Sequence, residues 1–192
     1  MNPPELTTPR LILKSITPAV IHELFNTKTE EEIKQFFGCH DTHYEHLRQV
    51  HLQGVEMYRL SHHHFLIIEK ETNVPMGECG FHTWNTKHRR AELFYLLYKD
   101  EYKQKGFVKE ALGPVLAFGF TQMGLHRVAA FITDENMPSK KLLLRYGFTK
   151  EGTMREDYNV EGVNEDSDCY SLLKWEWEKN NQFELSSAEE KQ

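Results

Sequence analysis

Cysteine is scarce: three residues in 192, Cys39, Cys79 and Cys169, far apart and without a C-x-x-C pair. That excludes a disulfide framework and a four-thiolate zinc site, and makes a reducing cytoplasm the expected location. No apolar run approaches the roughly 20 residues that span a bilayer. The opening Met-Asn-Pro-Pro-Glu-Leu-Thr-Thr-Pro has neither a basic nor an apolar leader region, so no secretory signal is expected. Positive charge is also short, with 23 Lys plus Arg against 29 Asp plus Glu, a formal charge of −6. A general nucleic-acid or anionic-membrane binder needs the opposite field, although a local basic site stays open. What is present is a globular mixture, 39% hydrophobic and 27% charged, without internal repeat or linker. The expectation is one domain over residues 1–177 and a frayed Glu-, Ser- and Lys-rich tail over 178–192.

The order of elements says more than the composition. Arg10 to Ser15 reads as a strand closed by Thr17-Pro18, which can start a helix. Apolar residues recur at helical spacing from Val20 to Phe25 and from Ile33 to Phe37, giving two short helices. A third helix is expected from Tyr44 to Leu60, with Leu47, Val50, Val55 and Tyr58 on its apolar face. Strands follow at Phe65–Glu69 and Pro75–Trp84, with a polar loop ahead of the first. Ala91–Tyr98 is a nearly continuous apolar run, expected to be a central strand covered on both faces. Phe107 to Met123 reads as a long helix closed by Gly124, with a kink expected at Gly113-Pro114. Leu125–Thr133 is a buried-strand pattern and Met137–Tyr146 a short helix. Phe148–Tyr158 and Asp166–Trp177 read as a hairpin across Glu161-Gly162. The architecture is α+β: a mixed, mostly antiparallel sheet with one strand–helix–strand crossover.

Between the Ala91 strand and the Phe107 helix lie Lys103, Gln104, Lys105 and Gly106. Open N–H groups at a helix N-terminus suit a phosphate, glycine admits close approach, and lysines add charge. A solvated lysine-rich loop before an ordinary helix is the alternative reading. Ala91–Tyr98, Lys103-Gln-Lys-Gly106 and Glu110-Ala-Leu112 together resemble the acetyl-coenzyme A signature of the GNAT N-acetyltransferase superfamily. Asn136-Met-Pro-Ser139 with Tyr146-Gly-Phe148 resembles that superfamily's next motif. Gly77-Glu-Cys-Gly-Phe-His-Thr-Trp-Asn85, Arg90-Ala-Glu92 and Tyr170-Ser-Leu-Leu173 resemble the branch that acetylates N-terminal amines of ribosomal proteins. The similarity spans about Thr7 to Trp177.

The resemblance implies a splayed parallel strand pair in the sheet, helices on both faces, and acetyl-CoA as cosubstrate. The backbone of Leu96, Leu97 and Tyr98 would pair with the pantetheine arm as an added strand does. The Leu97 N–H would polarise the thioester carbonyl. The pyrophosphate would lie on Gln104, Lys105, Gly106, Phe107 and Val108 with Lys103 beside it, and Asn136 would contact the cofactor. Lys103 and Val108 depart from the family pattern, and Gln104 stands where glycine is frequent. Lysine keeps the charge but loses the guanidinium fork.

Amide formation needs a neutral amine. An α-amine of pKa about 7.8 is roughly 14% neutral at pH 7, a lysine amine about 0.04%, deficits of about 1 and 5 kcal/mol. An α-amine therefore tolerates a poor base. Glu92, the one charged side chain in Ala91–Tyr98, matches a base position of the superfamily; an ion pair with Arg89 or Arg90 is the alternative. Glu156 and Asp157 are other candidates. Ser139 is the proton donor the branch implies for the thiolate, and Asn136 and Ser139 as helix caps are the alternative. The histidine series His40, His43, His46 and the run His62-His63-His64 lack a completing ligand motif, so no metal is expected. His82 and Trp84 are candidates for the acceptor wall. The expected activity is acetyl transfer to a primary amine, best a (ribosomal) protein N-terminus. A small-molecule amine or a lapsed coenzyme A sensor is the alternative, without nucleic acid or membrane and with a homodimer open.

Overall fold

Residues 4–53 and 61–180 are described by a computed structural model. A short strand missed in the sequence, β1 (Glu5–Thr7), pairs antiparallel with β2 (Leu11–Ile16), whose alternate residues are buried. Thr17 caps α1 (Pro18–Thr27) through its side chain, and Thr29 with Glu32 closes a reciprocal capping box on α2 (Glu30–Phe37). These caps are why one apolar stretch becomes two helices. α3 (Asp41–Gln53) follows; Val55 and Tyr58 of the expected helix face lie outside the described residues. Ile16, Ile21, Ile33, Phe37, Leu47 and Leu66 form the core under these helices.

β3 (Ser61–Glu69) starts earlier than Phe65, so His62, His63 and His64 are strand residues and not a polar loop. Pairing with β4 (Pro75–Asn85) from Ser61 across a bulge at His62 imposes this, with His64 opposite Gly80 on one side and Ile16 of β2 on the other. Two glycines make β4 possible. A Cβ on Gly77 would stand 2.1 Å from the Leu96 carbonyl oxygen, and one on Gly80 2.2 Å from that of His63.

β5 (Arg90–Leu97) is not covered on both faces. Ala91 and Leu93 are buried, but Leu96 is 45% exposed, so only one face is fully packed. After a single 3-10 turn at Asp100–Tyr102, α4 (Phe107–Thr121) runs unbroken through Pro114. It leads to β6 (Arg127–Ile132), α5 (Met137–Arg145), β7 (Thr149–Val160) and β8 (Val163–Leu173). β8 ends before the expected Trp177, and residues 174–180 are helical. Residues 181–192 of the expected tail lie outside the described residues. The β7–β8 turn is Glu161-Gly162 as expected, both at positive φ (51° and 89°), the backbone a tight hairpin favours.

The sheet order is β1-β2-β3-β4-β5-β6-β8-β7. It is the GNAT fold: mostly antiparallel, with the one parallel pair β5–β6 joined across α4. Two compact units emerge, one from Met1–Asn85 with Leu93–Met123, the other from Thr86–Glu92 with Gly124–Gln192. The first holds the Phe37 core and α4. The second packs Val128, Leu143, Phe148, Tyr170 and Leu172.

Candidate functional site

The parallel register of β5 and β6 runs from Arg90–Arg127 to Glu92–Ala129 and ends there. Beyond it, successive N–H groups of a strand point to opposite edges. The Tyr98 N–H donates to the Met76 carbonyl of β4 at 2.9 Å, and the Leu96 carbonyl abuts Gly77 of the same strand. The alternation therefore turns Leu97 to the other edge.

Downstream, Gln104 (φ 61°) and Gly106 (φ 79°) both adopt left-handed backbone, curling the turn ahead of α4. Gly106 is the N-cap of α4 and contributes no side-chain cap. By contrast, α1, α2 and α5 are capped by Thr17, Thr29 and Asn136. The N–H groups of Phe107 and Val108 thus open a helix without a capping oxygen, a ready anion seat. Lys103, Gln104 and Lys105 are exposed around it. Lys103 already pairs with Asp100 at 2.6 Å.

Arg10 is a residue that sequence reasoning missed here. Its guanidinium donates to the Lys105 carbonyl (3.3 Å) and, through Nε, to Glu110 Oε2 (2.6 Å). It also lies over the Phe107 ring at 4.7 Å. Burial pushes the Glu110 carboxyl up, but hydrogen bonds from Thr8 and Arg10 outweigh it and hold it below the usual range. The long-range partner gives no local sequence signal, being 95 to 100 residues away.

In the second unit, Glu92 is half-buried at the last paired position of β5. Arg89 donates Nε to the Gly124 carbonyl at 2.9 Å. Asp157 accepts from the Ser167 hydroxyl at 2.5 Å, and the Glu156 N–H donates to Asp166 at 2.9 Å. Burial, then Asp157 and Glu92, push the Tyr158 hydroxyl up. Asn136 caps α5, its Oδ1 accepting the Ser139 N–H at 3.2 Å, and Ser139 is buried. The capping alternative thus describes what the Asn136 side chain does in this structure.

Another carboxylate stands out in the first unit. Glu78 of β4 is 8% exposed, receives the Tyr98 hydroxyl at 2.5 Å, and faces His43 Nε2 at 3.3 Å and His64 Nδ1 at 3.8 Å. Burial pushes it up, yet His64, Tyr98 and His43 together hold it below the ordinary carboxylate value. Burial first, then Glu78, pushes the Tyr98 hydroxyl far up, so it stays a proton donor. Glu78, His43 and His64 wall a pocket of about 100 Å³ between β2, α1, α3, β3 and β4, which includes His62 and His46. His62 and His64 line it. The sequence signal was available: a carboxylate between small and apolar neighbours, Gly77-Glu-Cys-Gly80, on an inner strand.

Comparison with known proteins agrees with this geometry. Residues 10–149 match the family model described as an acetyltransferase (GNAT) domain. The uncharacterised N-acetyltransferase YoaA of Bacillus subtilis is 30% identical over 176 residues, 89% of this chain and 97% of its own. YdaF of Bacillus subtilis, provisionally named a ribosomal N-acetyltransferase, is 34% identical over 102 residues, 53% of this chain and 55% of its own. Among solved structures, mutant forms of the spermidine/spermine N-acetyltransferase SpeG from Vibrio cholerae superpose with a TM-score of 0.69 at 18% identity. That match covers 91% of this chain and 99% of SpeG.

Proposed function

The chain belongs to the GNAT acetyltransferase family and is an acetyl-CoA-dependent acyltransferase; from that premise we propose that its acceptor is the N-terminal amine of a protein, acetylated by direct attack. The single observation that carries the cosubstrate site is the uncapped start of α4 behind the left-handed Gln104–Gly106 turn. Acetyl-CoA supplies an acetyl group activated as a thioester. The Phe107 and Val108 N–H groups, with the Gly106 backbone, receive its pyrophosphate, and Lys103 and Lys105 add charge. The Leu97 N–H donates to the thioester carbonyl oxygen, and the Leu96–Tyr98 backbone guides the arm. Glu92 relays the proton that the attacking nitrogen sheds as the amide forms, Ser139 passes it to the departing sulfur, and Asn136 steadies the cofactor from α5.

The N-terminal acceptor rests on the likeness to YdaF and on proton economy, since an α-amine gives up its proton at a cost of only about 1 kcal/mol at pH 7. A small aliphatic amine is a second reading, favoured by the narrow pocket beside Glu78. Melting with and without acetyl-CoA, followed by thiol release with free-amine peptides and small amines, tests the proposal. A ligand at 100 times its Kd adds about 2.7 kcal/mol, so a clear upward shift is expected. No shift overturns the cosubstrate site. A shift without thiol release for any amine overturns the transferase reading in favour of a sensor.

A further inference from the structure

The pocket around Glu78 is a partly open cleft, sits wholly in the first unit, and is charged in a particular way. Its one carboxylate, Glu78, is ionised, while His43 and His62 are held back from protonation. Burial lowers His43 despite Glu78 nearby, and burial, then His64, His82 and His46, lowers His62 to about 4. At neutral pH these groups leave the cavity with net negative charge. Ile21, Leu47 and Val50 supply an apolar wall opposite. Among the described residues no group of three or more His, Cys, Asp or Glu could hold a metal ion.

We propose that this pocket receives the acceptor as a primary ammonium on a short apolar stem, with Glu78 as its counter-ion and His64 as the base that takes its proton. The inference rests on the acetyl-transfer reading above and assigns the acceptor end of that site. A carboxylate offers about four acceptor positions; here the Tyr98 hydroxyl and His43 occupy two, and His64 Nδ1 stands 3.8 Å off, beyond hydrogen-bond distance. An ammonium tip can take a remaining direction while its stem lies on Ile21, Leu47 and Val50. An anion meets repulsion, and a wholly apolar ligand leaves the carboxylate desolvated without compensation. The pocket also joins the proposed acetyl position through consecutive residues: Leu97 supplies the carbonyl-polarising N–H, and Tyr98 reaches Glu78.

Proton flow is accounted for. The ammonium, held between Glu78 and His64 Nδ1, passes one proton to that nitrogen, while His64 Nε2–H gives one to His62 Nδ1 3.3 Å away and so to solvent. The freed nitrogen bonds to the acetyl carbonyl carbon as the carbon–sulfur bond breaks, sulfur keeping the electron pair. The second nitrogen proton is lost as the amide forms and leaves on the coenzyme A thiol. His64 touches the acceptor in this arrangement, and His62 is a positioning residue that works through it.

The test uses the full chain with n-butylammonium chloride and a free-amine Ser-Ala peptide as probes, read first without acetyl-CoA. Imidazole ¹⁵N NMR of His43, His62 and His64 should shift with at least one probe. Saturation by the peptide alone assigns an N-terminus as the source, by n-butylammonium alone a small amine, and by both the shared ammonium chemistry. No shift with either probe overturns the proposal. Glu78→Gln keeps the Tyr98 hydrogen bond and should raise the probe Kd at least tenfold, while the melting shift with acetyl-CoA persists. A change below tenfold overturns the proposal, whereas loss of the acetyl-CoA shift in the unaltered protein is failure of the cosubstrate reading instead. Should Glu78→Gln not fold, Val50→Phe fills the cavity from α3 without touching its charge. It should abolish probe binding, and probe binding like that of the unaltered protein refutes the assignment.

Discussion

Two side chains around the turn before α4 carry consequences of their own. Gln104 holds φ 61°, a backbone that costs a side-chain-bearing residue about 1–2 kcal/mol and glycine almost nothing. Glycine gives back part of that gain through its looser unfolded chain, so Gln104→Gly should stabilise by about 0.5–1 kcal/mol in urea denaturation. Less bulk where phosphate approaches should also tighten acetyl-CoA. Arg10 ties Lys105 and Glu110 together while half-exposed. Arg10→Ala should cost about 1 kcal/mol of stability and lower the acetyl-CoA melting shift, because the turn loses its brace. An unchanged shift would reduce Arg10 to a surface ion pair.

At the level of elements, Asn136 is the cap of α5, and Asn136→Ala should cost about 1 kcal/mol, measurable by thermal melting. The helices were legible because their signals are local: Thr17-Pro18, the Thr29–Glu32 box, and Gly124 beyond α4. The parallel crossover was legible for a similar reason, two apolar runs flanking one long helix. What escaped was set by partners far away in sequence. β1 exists because Leu11–Ile16 offers it an edge, and the histidine run is strand because β4 pairs with Ser61, His63 and His64 and β2 with His64. The uncapped start of α4 could be read from Lys103-Gln-Lys-Gly106, since a glycine ahead of a helix is a sequence fact. The bracing of that turn by Arg10, and the gathering of His43, His64 and Tyr98 around Glu78, could not. Those contacts depend on packing among α3, β3, β4 and the end of β5.

For the whole molecule, the half-buried imidazoles of His62 and His63 set the response to acid. Burial, then His64, lowers His63 to about 4, and His62 stands at about 4 as well. The unfolded chain binds protons at these two positions from about pH 6.5 downward, while the folded chain refuses them until about pH 4. Stability must therefore fall as pH drops through that interval. A second decline follows below the ordinary carboxylate range. There Glu151, held to about 2 by hydrogen bonds from Arg127 and Ser171, and Glu78, held low by His64 and Tyr98, lose contributions present above the unfolded value. Urea midpoints measured from pH 8 to 3 should show loss beginning near pH 6.5. In His62→Gln, whose side chain takes no proton, the first decline should be smaller.

The two β4 glycines that leave no room for a Cβ bear on how this enzyme could be retrained. Because Gly77 and Gly80 press directly on the main chain of Leu96 and His63, a library that randomises β4 would discard most of its members as misfolded before any new acceptor was sampled. Diversity belongs on the helical wall at Ile21, Leu47 and Val50, where pocket shape can drift while the strand carrying Glu78 is left untouched.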